Sequence, residues 1–206
     1  MTIQAATLRE GKHGTPHQRS WHSQGCTHDP LTPAMNDPAH YEQSSLRESL
    51  VEHLFIGELL KHLWLEGPVP TEVLKPQVDA AGYDVVIECF GVLRHIQLKA
   101  SARRARTAVQ KIHTTLAGKP SGCVVWIQFD AGSLELGPYL YFGGPAGHPL
   151  PDLSDLRTAK HTKANAQGIK SERPNIRVVP KGRFEVIHSM EELVAMLFGR
   201  KVEPSG

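Results

Sequence analysis

In Gly82-Tyr-Asp-Val-Val-Ile-Glu-Cys-Phe-Gly-Val-Leu-Arg-His-Ile-Gln-Leu-Lys-Ala-Ser101, two short runs rich in β-branched and apolar residues flank a turn at Phe90-Gly91-Val92. Alternation along a strand puts Asp84, Val86 and Glu88 on one face of the first run. In the second, which Arg94 opens, His95, Gln97 and Lys99 share a face, and Ile96 and Leu98 take the other. So short a connection predicts an antiparallel hairpin that brings the two polar faces together. A carboxylate, an amide oxygen and an ammonium would then converge on one sheet.

That set is suited to a divalent cation and a phosphodiester, because hard oxygen donors hold Mg²⁺ and an ammonium offsets developing negative charge. Asp84, followed thirteen residues later by Gln97-Leu98-Lys99 and preceded by a predicted helix bearing Glu52 and Glu58, resembles the PD-(D/E)XK nuclease superfamily. The acid expected before the lysine is Gln97 here, a substitution also found in Mrr-type restriction endonucleases. The resemblance covers roughly residues 45 to 130 and implies an α/β fold with a restriction endonuclease-like core, a mixed β-sheet flanked by helices on both faces.

It implies as well a nuclease dependent on Mg²⁺ or Mn²⁺ and acting on DNA, in defence against foreign DNA or in repair. The partners implied are DNA and either a second copy of the chain or a separate ATPase or recognition subunit. Asp84 is the first cation ligand, Gln97 offers a neutral carbonyl oxygen, the Leu98 carbonyl is a further donor, and Lys99 orients the attacking water. With Gln97 in place of an acid, a second carboxylate has to come from elsewhere. Glu52 fills that role by analogy and Glu58 is the alternative. A helix advances about 100° per residue, so only one of them reaches the site. Glu88 and Asp79 are weaker candidates. A nuclease-like module that binds nucleic acid or protein without cutting is the competing reading, kept open by Gln97. A small effector recognising RNA is a third.

Whole-chain composition says less than its distribution. The 206 residues carry a net charge of +2 and are 40% hydrophobic, which fits one ordinary globular domain with tails. Yet no acid occurs between Glu88 and Asp130, where Arg94, Lys99, Arg103, Arg104, Arg106, Lys111 and Lys119 all fall, and a second basic run spans Arg157 to Arg183. Such clustering is what a polyanionic partner requires, and Arg103, Arg104, Arg106 and Lys111 are the expected phosphate contacts. Cys26, Cys89 and Cys123 form no CxxC pair, which argues against a zinc ribbon or disulfide framework and suits a reducing cytoplasm. No apolar run is long enough to span a membrane, and the N-terminus lacks a signal-peptide core. The expected location is cytoplasmic. No P-loop, GxSxG or HExxH motif supports ATPase, serine-hydrolase or zinc-protease chemistry.

Along the chain, residues 1–42 are rich in His, Pro, Thr and Ser and read as a disordered tail, with Met35 an alternative start. Residues 43–200 read as one nuclease-like α/β domain and 201–206 as a frayed end. Ser45-Leu-Arg-Glu48 predicts a helix start, followed by an apolar stripe through Leu46, Leu50, Leu54, Phe55, Leu59, Leu60, Leu63 and Trp64, with Gly67-Pro68 as its stop. Strands are expected at Thr71–Pro76, Gly122–Phe129 and Leu136–Phe142, and a basic helix at Ala102–Ala117. A loop covers Gly143–Pro151. The segment Thr158–Ser171 is polar, holds a short helix, and includes His161, Lys163, Asn165 and Gln167 as a surface cluster or nucleic-acid loop. Asn175–Pro180 and Arg183–Ile187 predict a hairpin around Lys181-Gly182, and Ser189-Met-Glu-Glu192 caps a final helix. Trp64 and Trp126 are expected in the core, and Tyr139 and Tyr141 in packing.

Overall fold

The computed structural model describes residues 44–67, 69–78, 81–161, 168 and 170–199. The tail expected over 1–42, the end over 201–206, Met35, Asp79, Lys163, Asn165 and Gln167 lie outside the described residues. The antiparallel hairpin forms, with a turn one residue shorter than the expected Phe90-Gly91-Val92 because Val92 already belongs to the second strand. Strand β2 (Val85–Cys89) pairs antiparallel with β3 (Val92–Ala102), with Cys89 opposite Val92, so only Phe90 and Gly91 make the turn. Both sit in the left-handed region, at φ 54° and 73°, the backbone a two-residue turn needs to match the twist of its strands.

Around the hairpin lies a six-stranded mixed sheet with β1 (Thr71–Leu74), β5 (Gly122–Phe129), β6 (Leu136–Gly143) and β9 (Glu185–Ile187), in the order β1-β2-β3-β5-β6-β9. All neighbours are antiparallel except β3 and β5 at the centre, which run parallel from His95↔Gly122 to Ala102↔Phe129. The near-continuous apolar run of β5 is buried at every position, because both faces of the sheet are covered.

Helix α1 (Ser44–Glu66) lays Val51, Phe55, Leu59 and Leu63 on one face of the sheet, against Val85, Ile87 and Ile96. Helix α2 (Met190–Phe198) packs Leu193, Val194 and Leu197 into the same core. It opens as the sequence predicts, with Ser189 Oγ accepting the Glu192 N–H, while Glu192 Oε2 reaches back to the His188 N–H. Both helices therefore cover one face, where helices on both faces were expected. The other face, carrying Val124, Trp126, Leu140 and Phe142, is closed by Ile112, Leu116, Val179 and Phe184. Ile112 and Val179 belong to a second, three-stranded sheet, Leu116 to a 3₁₀ turn, and Phe184 directly follows a second 3₁₀ turn.

That second sheet corrects the helix expected at Ala102–Ala117. Strand β3 continues to Ala102, a turn follows, and β4 (Val109–His113) precedes a 3₁₀ turn at Thr114–Gly118. Arg, Lys, Gln and Ala favour helices, but Thr107, Val109, Ile112, Thr114 and Thr115 are β-branched, and Gln110 and Ile112 point inward between exposed Val109 and Lys111 with a period of two. The partner of β4 is β8 (Glu172–Pro180), which also pairs with β7 (Thr158–Lys160). The expected hairpin around Lys181-Gly182 is likewise absent. Lys181–Arg183 is a 3₁₀ turn that carries the chain from β8 in one sheet to β9 in the other. The stripe of α1 splits in two: Phe55, Leu59 and Leu63 are buried, but Leu46 is 67% and Trp64 72% exposed, so Trp64 is not a core residue. Trp126 is fully buried. Among the described residues no helix is long and apolar enough to cross a membrane.

Candidate active site

The first paired residue of β2 is Val85, opposite Ile96, whereas β3 runs on to Ala102. Past that point β3 keeps β5 on one side, and its other side meets no strand among the described residues. The N–H groups of His95 and Arg103 donate to Ser121 O and Phe129 O on the β5 side, at 3.1 and 2.8 Å. Main-chain groups alternate along a strand, so those of Leu98 and Ala100 point to the open side. Asp84 takes the first of them. Its N–H donates to Ile96 O at 2.9 Å, and its Oδ2 accepts the Leu98 N–H at 2.6 Å.

Over this edge lies a cleft of about 480 Å³ lined by Asp84, Leu98 and Lys99 of the hairpin, by Gln110 of β4, and by Ser45, Glu48, Ser49 and Glu52 of α1. The four helical residues fall at i, i+3, i+4 and i+7, which places them on one face. Glu52 and Asp84 thus meet in one cleft with Lys99. Glu58 does not join them. It accepts a hydrogen bond from the Tyr139 hydroxyl at 3.3 Å, and burial followed by this carboxylate raises the Tyr139 pKa. Glu88 is exposed, pairs with Glu72 and Leu93, and does not line the cleft.

Gln97 stands one register step beyond Val85↔Ile96, beside Asp84, and is buried to 7% exposure with no hydrogen-bond partner for Oε1. It does not line the cleft. Lys99 is half-buried and forms no ion pair among the described residues. Two positions on, the Ser101 hydroxyl accepts from Trp126 Nε1 at 2.8 Å and Gln128 Nε2 at 2.9 Å, fixing this end of the strand. Glu52 is held by Lys75, whose Nζ lies 2.5 Å from Oε1.

As a cation site, the cleft offers hard oxygen donors, among them the Asp84 and Glu52 carboxylates and the Leu98 carbonyl. This chemistry fits Mg²⁺ or Mn²⁺ better than a softer metal. Among the described residues no three His, Cys, Asp or Glu side chains converge closely enough to hold a metal by themselves.

Of the basic residues, Arg103 is committed to the protein itself. Its guanidinium donates to the carbonyls of Gly137, Leu136 and Glu135 at 2.6, 3.4 and 3.3 Å and lies 3.4 Å from the Glu135 carboxylate, joining β3 to the start of β6. Arg104 and Arg106 are exposed in the turn and coil just past Lys99, and Lys111 is exposed on β4. They lie on no common helix.

Gln110 has no signal along the sequence, because the helix-favouring composition of Ala102–Ala117 hides the alternation of β4. Ser45, Glu48 and Ser49 were legible in principle, since their spacing from Glu52 gives them its helical face. Lys75 carried no local signal. No family model, curated protein or solved structure matches this chain.

Proposed function

We propose that this chain is a divalent-cation-dependent nuclease acting on DNA, built on a restriction endonuclease-like core. The observation that carries the reading is the meeting of Asp84, Glu52 and Lys99 in one cleft at the open edge of β3. Asp84, Glu52 and the Leu98 carbonyl would hold Mg²⁺ or Mn²⁺. A cation there makes bound water more acidic and offsets charge on the scissile phosphate. Lys99 lines the same cleft, where its ammonium would orient the attacking water and stabilise charge developing on phosphate oxygens. The Leu98 N–H fixes the Asp84 carboxylate before any ligand arrives, so less ordering remains to be done on binding. Arg104, Arg106 and Lys111 supply backbone phosphate contacts, which give salt-dependent and weakly sequence-specific binding.

A second reading, a nuclease-like module that binds without cutting, is favoured by one observation. Glu52 is already paired with Lys75, and Gln97 supplies no charge. Asp84→Ala separates the two readings. Loss of cation-dependent cleavage with DNA binding retained is the result expected of the enzyme. A wild type that binds DNA and never cuts it with either cation would assign the binding module.

A further inference from the structure

Glu52 Oε1 is shielded from solvent, and the ammonium of Lys75 lies 2.5 Å from it. Lys75 directly follows β1, the strand at the sheet edge beside β2, and its own side chain is half exposed at 50%. The ammonium paired with this carboxylate thus belongs to a side chain that remains half in solvent. Of the two lysines on this carboxylate cluster, Lys99 belongs to the hairpin and lines the cleft, while Lys75 does not line it and engages Glu52 alone. An ammonium and a divalent cation compete for the same carboxylate oxygens, because each is held there by the same charge.

We propose that Lys75 is the internal counter-ion of the cleft: it holds Glu52 in the cation-free protein and is displaced when a divalent cation binds. This rests on the nuclease reading and adds to it a residue that sets the cation concentration at which the site loads. Paired with Lys75, Glu52 is kept pointing at the cleft without leaving uncompensated negative charge beside Asp84 and Glu48. A half-exposed lysine can swing to water when the cation arrives, so the exchange needs no backbone movement.

The test is Mn²⁺ titration by isothermal calorimetry on the full chain, without DNA, for wild type, Lys75→Met, Glu52→Gln, the double variant and Asp84→Asn. Lys61→Met, an exposed lysine farther along α1, controls for net charge. Lys75→Met is expected to bind Mn²⁺ about fivefold more tightly, the worth of an ion pair at the upper end for a half-exposed site. The gain is expected to vanish in the Glu52→Gln background, as a coupled pair requires. Equal Mn²⁺ affinity in wild type and Lys75→Met, with binding lost in Asp84→Asn, would overturn the counter-ion role while leaving the cation site standing. A gain equally present with Glu52→Gln, or reproduced by Lys61→Met, would overturn it as a general charge effect. Absence of Mn²⁺ binding in every variant would overturn the cation site itself, and the role of Lys75 with it.

Discussion

The Asp84 carboxylate accepts the backbone N–H of Leu98 at 2.6 Å, so the side chain just before β2 satisfies the first open N–H of β3. This contact ties the placement of Asp84 to the strand that carries Lys99. Asp84→Ala leaves the half-buried Leu98 N–H unpaired and is expected to lower stability by about 1–2 kcal/mol in urea denaturation. Asp84→Asn keeps an acceptor oxygen and is expected to recover most of that loss while still failing to cleave DNA. If Asn restored cleavage together with stability, the carboxylate charge would have no role in the reaction.

The backbone ahead of Asp84 is tightly constrained. Gly82 has φ +76°, and a Cβ there would lie 2.7 Å from both His113 Cβ and Thr115 Oγ1. Gly82→Ala is expected to cost about 2 kcal/mol or more through strain and overpacking, and to reduce cleavage by moving Asp84. Gly118, where a Cβ meets nothing within 4 Å, is the control and should tolerate Ala. Equal thermal midpoints for the two variants would contradict this account of the loop.

Arg94 is fully buried without a carboxylate partner among the described ion pairs. Its guanidinium donates to the carbonyls of Leu197, Met196 and Gly144 at 2.5, 3.1 and 3.2 Å, two of them at the C-terminal end of α2, where the helix dipole favours a cation. Arg94→Met is expected to cost about 3 kcal/mol, because it strands those carbonyls in the core. Arg94→Lys should recover only part of this, since an ammonium cannot reproduce the fork. Denaturation midpoints for the three proteins check the order.

The arginines after β3 divide by role. Arg104→Ala with Arg106→Ala is expected to weaken DNA binding about uniformly across sequences and to flatten its salt dependence, with stability nearly unchanged. Arg103→Ala is expected instead to lower stability, because it removes donors from three carbonyls at the start of β6. Fluorescence anisotropy across a salt series, beside thermal unfolding, reads both effects.

How far the sequence reached depended on the range of the contacts. The hairpin was legible because its period of two and its short turn are local, but a turn of Phe90-Gly91-Val92 would set Asp84 opposite Leu98, and only the pairing of Cys89 with Val92 sets it opposite Gln97. The segment at Ala102–Ala117 was not, because its helix-favouring composition masks an alternation that becomes decisive only when β8, more than sixty residues later, supplies a partner. The carbonyl partners of Arg103 were out of reach for the same reason, since they lie over thirty residues away. The apolar stripe of α1 named the right helix and merged its two faces, since Leu60 and Trp64 each neighbour a buried residue in sequence. Glu52 stood ahead of Glu58 by analogy alone, because the geometry that separates them is the rotation of the helix about its axis, which Val51, Phe55, Leu59 and Leu63 fix.

Acidification gives a separate handle. Burial, and then the nearby Lys119, lower the pKa of His95 below 6.5, and its Nδ1 has no hydrogen-bond partner. The folded protein therefore takes up this proton less readily than the unfolded chain. Stability from this group is full above about pH 6.5, falls as pH drops below it, and levels once His95 is charged in both states. His95→Gln is expected to show a shallower loss of stability over that window than wild type. Parallel slopes would show that His95 is not the group responsible.

The most direct test of the central claim is cleavage of linear, supercoiled and single-stranded DNA with Mg²⁺ or Mn²⁺, comparing wild type with Asp84→Ala and Lys99→Ala. The account predicts cation-dependent cutting by the wild type that is lost in both variants while each remains folded. Cutting that survives both substitutions, or a folded wild type that cuts none of the three substrates with either cation, would contradict it.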